Sequence, residues 1–589
     1  MLDYSAPLRD MQFVLNELIG FDQICALPGT DDISLDLSNA VLEEASKFAK
    51  DVLAPLNRIG DLEGSRLDGD QVTTPTGWQE AYTAFKDSGW CSLAMSPKYG
   101  GQGFPKVMAT AVYEMWDSAN MSFSLCPLLT NGAIEAIQSH GNDKLQAIYL
   151  DKLVSGDWAG TMNLTESQAG SDLSAVRTKA VPEGDHYLVK GQKIYITYGD
   201  HDLTENIIHL VLARTPDAPE GVKGISLFVV PKFIVNDNGT LGERNDVKCI
   251  SLEHKLGIHA SPTAVMSYGE AGGAIGYLVG QENNGLMYMF TMMNAARHGV
   301  GREGMAISEA SFQLAHSYAT TRVQGQPLGG GSIIRHPDVK RMLMTMKSKI
   351  EAMRALAYVC AFEYDVTDRH QNEEQRSLSR RRGDLLTPIV KGWCTEVAQE
   401  ITSLGVQVHG GMGFIEETGA AQYQRDARIT TIYEGTTGIQ AGDLVGRKTL
   451  RDGGRGMEEL ISDMLATVEG LNESTPAMRK IKRALAISVD DLKNAVHWLL
   501  SNASDPQLTA AAASSYLELA GITCGGWMMA KSAALSDEKL KDSACEPFYA
   551  AKMDSAVFYC SQIMPFTSSL LNVIQNGSTD IVNLNLESA

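Results

Sequence analysis

The sequence lacks paired cysteines, long apolar runs and an excess of basic residues, and each absence excludes a class of protein. The nine cysteines are scattered singly, with no C-x-x-C spacing, so neither a disulfide framework nor a metal site is predicted. No 18 apolar residues run together, so no membrane-spanning helix is predicted. Acidic residues outnumber basic ones by 71 to 50, for a net charge of −21, which argues against a nucleic-acid partner.

The start of the chain and its composition are typical of a globular protein from a reducing compartment. Arg9 and Asp10 precede any apolar run, so no signal peptide is predicted. Together with the unpaired cysteines, this leads us to expect a cytoplasmic location. Of the 589 residues, 44% are hydrophobic and 21% are charged, which is enough apolar material for a large core.

Hydrophobic spacing divides the chain into helical and strand-rich parts. Residues 36–58 carry apolar side chains at helical spacing and predict the first clear helix. From Asp157 the period changes, and a β domain ending near Val279 is predicted. Its predicted strands are short, β-branched stretches bounded by turn residues, at 158–163, 187–189, 193–197, 207–213 and 225–230.

Helices return at about Gly285 and continue through a last helical block at about 455–577. Thr387-Pro388 combines a capping residue with proline, which predicts that a helix begins there. The predicted fold class is α+β, mainly α. Its predicted parts are an N-terminal extension, an N-terminal helical domain, a middle β domain, a C-terminal helical bundle and a C-terminal helical extension, at 1–34, 35–156, 157–282, 283–452 and 453–589.

A single carboxylate stands out in residues 432–440, IYEGTTGIQ. Glu434 lies between Tyr433 and Gly435, after an apolar residue and before a Thr/Gly run. It is either a residue of a surface turn or a base held in an apolar slot. Burial against apolar neighbours raises a carboxyl pKa and makes the carboxylate a stronger base toward carbon acids.

Hydroxyl side chains follow two predicted strands. Residues 164–172, LTESQAGSD, offer hydroxyls and glycine-freed amides that can bind a planar heterocycle or an anionic chain. The alternative is a turn with no ligand. Thr197, two residues past Tyr195, ends what is predicted to be a neighbouring strand, and two polar strand ends converging on one place favour a ligand site.

Two arginines and a histidine are further candidates. Arg297 lies in an otherwise apolar helix, and Arg322 precedes a glycine-rich loop. Arginines in such places bind phosphates through their planar fork, although a salt bridge to an acid is an equal alternative for either one. His409, just before Gly410-Gly411, is interpreted as a packed or partly exposed helix-end residue rather than a catalytic one.

Together these motifs resemble the acyl-CoA dehydrogenase family over about residues 35–450. The resemblance rests on five spaced motifs in the family's order: residues 164–172, residues 193–197, Arg297 with Arg322, residues 407–413 and residues 432–440. It implies non-covalently bound FAD and α,β-dehydrogenation of an acyl-CoA thioester. It also implies that Glu434 takes the α-proton, while its backbone amide and a flavin ribityl hydroxyl polarise the thioester carbonyl.

The resemblance assigns the other site residues as follows. Thr165 and Thr197 contact the isoalloxazine ring, and Tyr195 stands where the family often has a tryptophan beside it. Ser171 lies near the cofactor and the CoA pantetheine. The remaining residues bind the CoA arm (Asn294 and Arg297), the substrate beside the base (Tyr433 and Gly435), and the FAD pyrophosphate and adenine (Arg322, Gln407, Gly411 and Thr436).

One comparison within the family concerns the base. In one branch the base immediately precedes the equivalent of Arg297, where this chain has Ala296, which cannot accept a proton. The resemblance therefore leaves Glu434 as the base. Some positions depart from the family pattern: Ser167 replaces a proline, and Tyr198 replaces an asparagine.

The extra length and several segments resemble a long bacterial subgroup of the family that includes 3-methylmercaptopropionyl-CoA dehydrogenases. This implies oxidation of that thioester, in dimethylsulfoniopropionate breakdown, with a short- or medium-chain fatty acyl-CoA as the alternative. The resemblance also implies electron-transferring flavoprotein as acceptor, and a homodimer is expected. A non-catalytic flavin- or CoA-binding scaffold is the alternative from a different class, and an oxidase is a third.

Overall fold

The computed structural model describes residues 4–236, 238–326, 329–542 and 544–586. These residues form two compact units, each described separately below. The helical unit comprises the described residues of Met1–Ser46, Pro105–Ser118 and Val300–Ala589. The sheet unit comprises Lys47–Phe104 and the described residues of Ala119–Gly299.

All strands of the described chain lie in the sheet unit. They are β1 (Arg66–Asp68), β2 (Gln71–Thr73), β3 (Trp158–Asn163), β4 (Lys179–Glu183), β5 (His186–Thr197), β6 (Asn206–Ala213), β7 (Ser226–Pro231), β8 (Phe233–Val235), β9 (Leu241–Arg244), β10 (Val247–Leu252), β11 (Thr263–Tyr268) and β12 (Ala274–Leu278). The main sheet has the order β10-β11-β5-β12-β7-β6-β3, with β4 also paired to β5. Two small hairpins, β1-β2 and β8-β9, complete the set.

Three neighbouring strands at one end of this order are buried along their whole length, which is consistent with their mainly apolar sequences. Every residue of β3, β6 and β7 is buried, as is typical of strands covered on both faces. β3 and β6 are parallel, with Trp158 opposite Asn206, whereas the other pairs are antiparallel. The predicted strand 158–163 matches β3, and the predicted strands 207–213 and 225–230 match β6 and β7 to within one residue at each end.

The α-helices of the described chain lie in both units. They are α1 (Leu8–Phe13), α2 (Phe21–Cys25), α3 (Leu35–Phe48), α4 (Ala54–Glu63), α5 (Trp78–Asp87), α6 (Lys106–His140), α7 (Asp143–Ser155), α8 (Gly285–Thr321), α9 (Pro337–Arg369), α10 (Glu373–His409), α11 (Ala420–Ala427), α12 (Thr437–Val445), α13 (Arg455–Gly470), α14 (Pro476–Ser501), α15 (Pro506–Ala511), α16 (Ala513–Lys539), α17 (Pro547–Gln562), α18 (Phe566–Asn572) and α19 (Ser578–Asn583). Helices α4, α5 and α7 belong to the sheet unit, and α3, α6 and α8 have residues in both units. The predicted fold class, α+β and mainly α, is confirmed.

The predicted helix start at Thr387-Pro388 is wrong. Helix α10 begins at Glu373, where the Asn372 side chain accepts hydrogen bonds from the amides of Glu374 and Gln375 at 2.8 and 3.2 Å. The helix runs through Pro388, and the Thr387 hydroxyl donates to the Gly383 carbonyl at 2.8 Å rather than capping a new helix. Residues 385–395 are all buried, so tertiary packing overrides the local cost of proline.

A buried ion cluster joins both ends of the helical unit to its bundle. We name it the Arg354 cluster; its members are Arg354, Asp10, Glu114, Glu309, Glu351 and Lys552. The Arg354 guanidinium contacts Asp10, Glu114 and Glu309 at 2.5, 2.7 and 2.8 Å. Lys552, from the predicted C-terminal extension, pairs with Asp10 and with Glu351. Although burial opposes ionisation of Asp10, Lys552 and Arg354 hold its pKa well below the usual range.

The C-terminal stretch Pro547–Asn583 is long and apolar enough to cross a membrane by length and composition alone, the one such stretch in the described part of the chain. A third of its most apolar window is buried, and core helices of soluble proteins pass the same test. The stretch is interrupted by a turn between Gln562 and Phe566. The predicted absence of a membrane span stays a prediction.

Candidate functional site

Glu434 lies in a strained turn of the helical unit. Its φ is +55°, which is rare for a residue other than glycine, and Gly435 follows with a φ of +92°. The buried Gln440 side chain donates to the carbonyls of Glu434 and Gly435 at 3.2 and 3.3 Å. A Cβ at Gly435 would come within 2.7 Å of that Gln440 nitrogen. The turn therefore requires glycine at position 435 and is stabilised by the side-chain amide of Gln440.

Tyr433 and Thr436 flank this turn and are fixed by different means. The Thr436 hydroxyl accepts a hydrogen bond from the Ile439 amide at 3.3 Å and so caps helix α12. The Tyr433 hydroxyl donates to the Glu303 carboxyl, from helix α8, in a short hydrogen bond. Glu434 itself is only half-buried, so the turn presents its carboxylate at a partly open face.

Behind Tyr433 lies a second group of buried charged side chains. We name Tyr433, Glu303, Arg302 and Asp117 the Tyr433 cluster. Arg302 donates to Asp117 at 2.7 Å, and its guanidinium lies 5.1 Å from the centre of the Tyr113 ring. Burial, with the charges of Asp117 and Glu434, raises the pKa of Glu303 to about 8. Burial therefore favours the protonated form of the Glu303 carboxyl.

In the sheet unit, a buried ion pair supports the loop that carries Thr165. Glu166 accepts from the Lys193 ammonium at 2.8 Å and from the Thr178 hydroxyl at 2.6 Å. Lys193 also donates to the Leu164 carbonyl at 2.9 Å. Although burial opposes it, Lys193 and Thr178 lower the pKa of Glu166 to about 2. The loop after β3 is thus pinned to β5 on both sides of Thr165.

Strand β5 is irregular where Tyr195 and Thr197 occur. Its register against β11 shifts between Ala264 and Met266, a bulge that leaves Tyr195 at φ +60° and 61% exposed. Tyr198 is also at positive φ, +50°. The Thr197 carbonyl accepts from the Thr161 hydroxyl of β3 at 2.7 Å, and the Ile194 amide donates to the Thr165 carbonyl at 2.9 Å. These bonds bring the two predicted polar strand ends together, as expected.

The other predicted residues divide between the two units. Asn294 and Arg297 lie on the part of α8 that belongs to the sheet unit, and Arg297 is buried. Ser171 is exposed in the sheet unit, and Arg322, Gln407 and Gly411 are exposed in the helical unit.

His409 is confirmed as a packed residue. Its ring stacks on Tyr318 with centroids 4.5 Å apart, and its Nδ1 lies 2.7 Å from the Gly405 carbonyl oxygen. Burial lowers the pKa of His409. In the described residues, no group of three or more His, Cys, Asp or Glu side chains is arranged to hold a metal ion.

Sequence reasoning missed the residues that hold the site rather than form it. Glu303 and Arg302 are charged residues inside the same apolar helix as Arg297, so the signal that singled out Arg297 applied to them too. The sequence predicts Lys193 as part of a strand and of the motif 193–197, but does not indicate its ion pair with Glu166. Gln440 ends the motif 432–440, but the sequence does not indicate that its side chain binds the carbonyls of Glu434 and Gly435.

Family models match most of the chain. The N-terminal, middle and C-terminal domains of acyl-CoA dehydrogenase match residues 37–157, 161–269 and 283–448, and an "Acetyl-CoA dehydrogenase C-terminal like" model matches 460–585. The chain belongs to the acyl-CoA dehydrogenase family. The predicted enzyme class, an oxidoreductase acting on acyl-CoA, is confirmed at this level.

Among relatives of this acyl-CoA dehydrogenase is the 3-methylmercaptopropionyl-CoA dehydrogenase of Ruegeria pomeroyi, 49% identical over 96% of each chain. A butyryl-CoA dehydrogenase of Syntrophomonas wolfei is 34% identical over 99% of this chain and 98% of its own. A solved acyl-CoA dehydrogenase of Bacillus anthracis, complexed with FAD, has a TM-score of 0.75 at 19% identity and covers 98% of this chain and 93% of its own. This last likeness concerns the fold.

Acyl-CoA dehydrogenases depend on FAD, so the cofactor prediction is confirmed. The donors in this structure fit that cofactor. Within the described residues, the hydroxyls of Thr165, Ser171 and Thr197 make no hydrogen bond, nor do the side chains of Arg322 and Gln407. A Cβ at Gly411 would meet nothing within 4 Å. Each unit therefore carries polar groups available to a ligand: hydroxyls in the sheet unit, and a guanidinium and an amide in the helical unit.

Proposed function

We propose that this acyl-CoA dehydrogenase oxidises 3-methylmercaptopropionyl-CoA to 3-methylthioacryloyl-CoA. The observation that carries the proposal is the 49% identity, over 96% of both chains, to the R. pomeroyi enzyme of that name. The step would serve the breakdown of dimethylsulfoniopropionate. Glu434 is the base, Thr165, Tyr195 and Thr197 border the flavin ring, and Arg297 with Asn294 binds the CoA arm.

The strained turn suits Glu434 to removing the α-proton. Strained backbone residues cluster at functional sites, and here Gly435 and Gln440 keep the turn in place. The carboxylate takes the proton while the Glu434 backbone amide donates to the thioester carbonyl and stabilises developing negative charge. Bound FAD supplies the acceptor for the β-hydrogen, which leaves as hydride.

A second candidate substrate is butyryl-CoA, because the S. wolfei butyryl-CoA dehydrogenase is 34% identical over nearly the whole of both chains. The two acyl groups are similar in size, and one methylene in an apolar pocket changes discrimination by only about 1–3 kcal/mol. The higher sequence identity, 49% against 34%, favours 3-methylmercaptopropionyl-CoA as the substrate.

A substrate panel tests the choice. Purified holoprotein is assayed with an artificial electron acceptor and 3-methylmercaptopropionyl-, butyryl- and octanoyl-CoA. We expect the highest kcat/KM with 3-methylmercaptopropionyl-CoA, by roughly tenfold or more. A higher kcat/KM with butyryl-CoA would assign the chain to short-chain fatty acyl oxidation instead.

We also propose that the chain acts as a cytoplasmic homodimer and passes electrons to electron-transferring flavoprotein. The support is family resemblance, and for the dimer also the C-terminal extension, interpreted as a packing domain. Light scattering of the holoprotein at several concentrations tests the oligomeric state. A stable tetramer would overturn the proposed dimer.

A further inference from the structure

Glu303 occupies an unusual position for a buried carboxyl. It is fully buried in helix α8, and one of its oxygens, Oε2, accepts from the Tyr433 hydroxyl. The other oxygen, Oε1, is buried with no hydrogen-bond partner among the described residues. Native proteins rarely leave a buried polar atom in that state, so the position calls for a reason other than stability.

The neighbouring cation does not provide that reason. Arg302 donates to Asp117, at 2.7 Å, and its guanidinium lies over the Tyr113 ring. No ion pair of Glu303 is present in the described chain. An apolar or amide side chain at position 303 would avoid the cost of burying a carboxyl. Among the described residues, the one hydrogen bond of the Glu303 side chain is with Tyr433, the residue directly before Glu434.

We propose that Glu303 is a positioning residue for Glu434 and acts through the Tyr433 hydroxyl. The inference rests on the proposed function, in which Glu434 is the base. The turn at 433–435 is then held from two sides: Gln440 binds the carbonyls of Glu434 and Gly435, and Glu303 binds the side chain of Tyr433. Because Glu434 is at positive φ, the turn tends to relax if either anchor is lost.

A double-mutant cycle on the holoprotein tests this assignment. The measured quantities are the anaerobic rate of flavin bleaching at saturating 3-methylmercaptopropionyl-CoA and the dissociation constant of that thioester. We expect Glu303→Ala and Tyr433→Phe each to slow bleaching roughly 10- to 100-fold, since small displacements of a catalytic group have effects of this size. The double variant should be no slower than Tyr433→Phe alone, because both changes break one hydrogen bond.

Two further variants separate positioning from a general structural role. Glu303→Gln keeps an oxygen that accepts from Tyr433, so it should restore most of the bleaching rate. Glu309→Gln is the matched control on the same helix: Glu309 is also buried but binds Arg354, at 2.8 Å. That control should lower the melting temperature and leave the bleaching rate unchanged. If Glu303→Ala does not fold, Tyr433→Phe still tests the proposal, because it removes the same hydrogen bond.

The possible failures are distinguishable. Bleaching by Glu303→Ala and Tyr433→Phe at the unmodified rate would overturn the positioning role alone. The positioning role would also be overturned if the double variant lost bleaching rate by the product of the two single-variant factors, because the two changes would then act independently. If the unmodified holoprotein bleaches with none of the thioesters in the panel, the proposed function fails and this inference fails with it.

Discussion

The Arg354 cluster and the Tyr433 cluster are both buried in the helical unit, but they differ in how their charges are balanced. In the Arg354 cluster, each cation meets at least two carboxylates, and the pKa of Asp10 is held low by its partners although burial opposes ionisation. In the Tyr433 cluster, the cation is paired with Asp117, and burial raises the pKa of Glu303 to about 8.

We propose that this difference separates a cluster that stabilises the fold from one that positions the catalytic turn. The Arg354 cluster links residues of the N-terminal and C-terminal ends to the bundle, and compensated charges suit that role. An uncompensated carboxyl with a strongly shifted pKa is instead typical of functional sites. On this basis, changes in the first cluster should alter stability, and changes in the second should alter rate.

Removing a charge from the Arg354 cluster should have the largest energetic effect. Asp10→Asn leaves Lys552 and Arg354 short of a partner, and breaking a buried pair costs about 3–5 kcal/mol. We expect a lower free energy of unfolding in urea at pH 7, with bleaching of the folded fraction unchanged. Because the pKa of Asp10 is depressed in the folded state, its contribution is full above about pH 4 and declines as the pH falls below that value.

An unfolding free energy equal to that of the unmodified chain would contradict the structural role of this cluster. A loss of bleaching rate in folded Asp10→Asn would remove the contrast between the two clusters.

The turn beside the Tyr433 cluster should show the opposite pattern. Gly435→Ala forces a Cβ to within 2.7 Å of the Gln440 amide at a φ of +92°. We expect flavin bleaching to slow about 100-fold, measured anaerobically with 3-methylmercaptopropionyl-CoA. Gly438→Ala is the matched control, since its Cβ would meet only the Thr436 hydroxyl, at 3.8 Å. Equal rates in the two variants would show that the strained turn is not needed.

Arg297 extends the comparison to the sheet unit, where a buried arginine is assigned to ligand binding. Arg297→Ala should raise KM for the acyl-CoA about tenfold and change kcat less, because it removes binding shared by ground and transition states. Steady-state kinetics with an artificial acceptor measure both constants. A fall in kcat at constant KM would place Arg297 in the chemistry instead.

The smallest expected effect is that of Glu303 ionisation on the pH dependence of the bleaching rate. The charged and polar groups that influence the pKa of Glu303 are Asp117, Arg302, Tyr433 and Glu434. Above about pH 8 the Glu303 carboxyl is ionised and repels the negative charge of Glu434. Glu434 loses that charge when it takes the α-proton, so flavin bleaching should speed up by a factor of roughly two to five. Glu303→Gln should lack this rise in stopped-flow measurements between pH 7 and 9. A rise that persists in Glu303→Gln would belong to another group.

The sequence predicted most of the fold because its strands and helices have strong local patterns. Strand β3 was predicted at its observed bounds, and helix α8 begins at the predicted Gly285. The prediction failed at Pro388, where long-range packing of a buried helix outweighs the local preference of proline.

The candidate site was predictable as motifs and not as geometry. Thr165 and Thr197 were expected to converge, and hydrogen bonds between their strands bring them together. The hydrogen bond from Tyr433 to Glu303 joins residues 130 positions apart, so no local pattern indicates it. The sequence also does not indicate a positive φ at Glu434, because such a φ is rare for a residue other than glycine. The site assignments, the domain boundaries and the cytoplasmic location stay predictions.

The most direct test is anaerobic mixing of 3-methylmercaptopropionyl-CoA with the unmodified holoprotein and with Glu434→Gln. We expect the flavin band of the unmodified protein to bleach within seconds. Glu434→Gln should keep its FAD and bind the thioester with similar affinity, yet bleach about 10³-fold more slowly or not at all, as loss of a general base requires. Normal bleaching in Glu434→Gln would contradict the account and require another base.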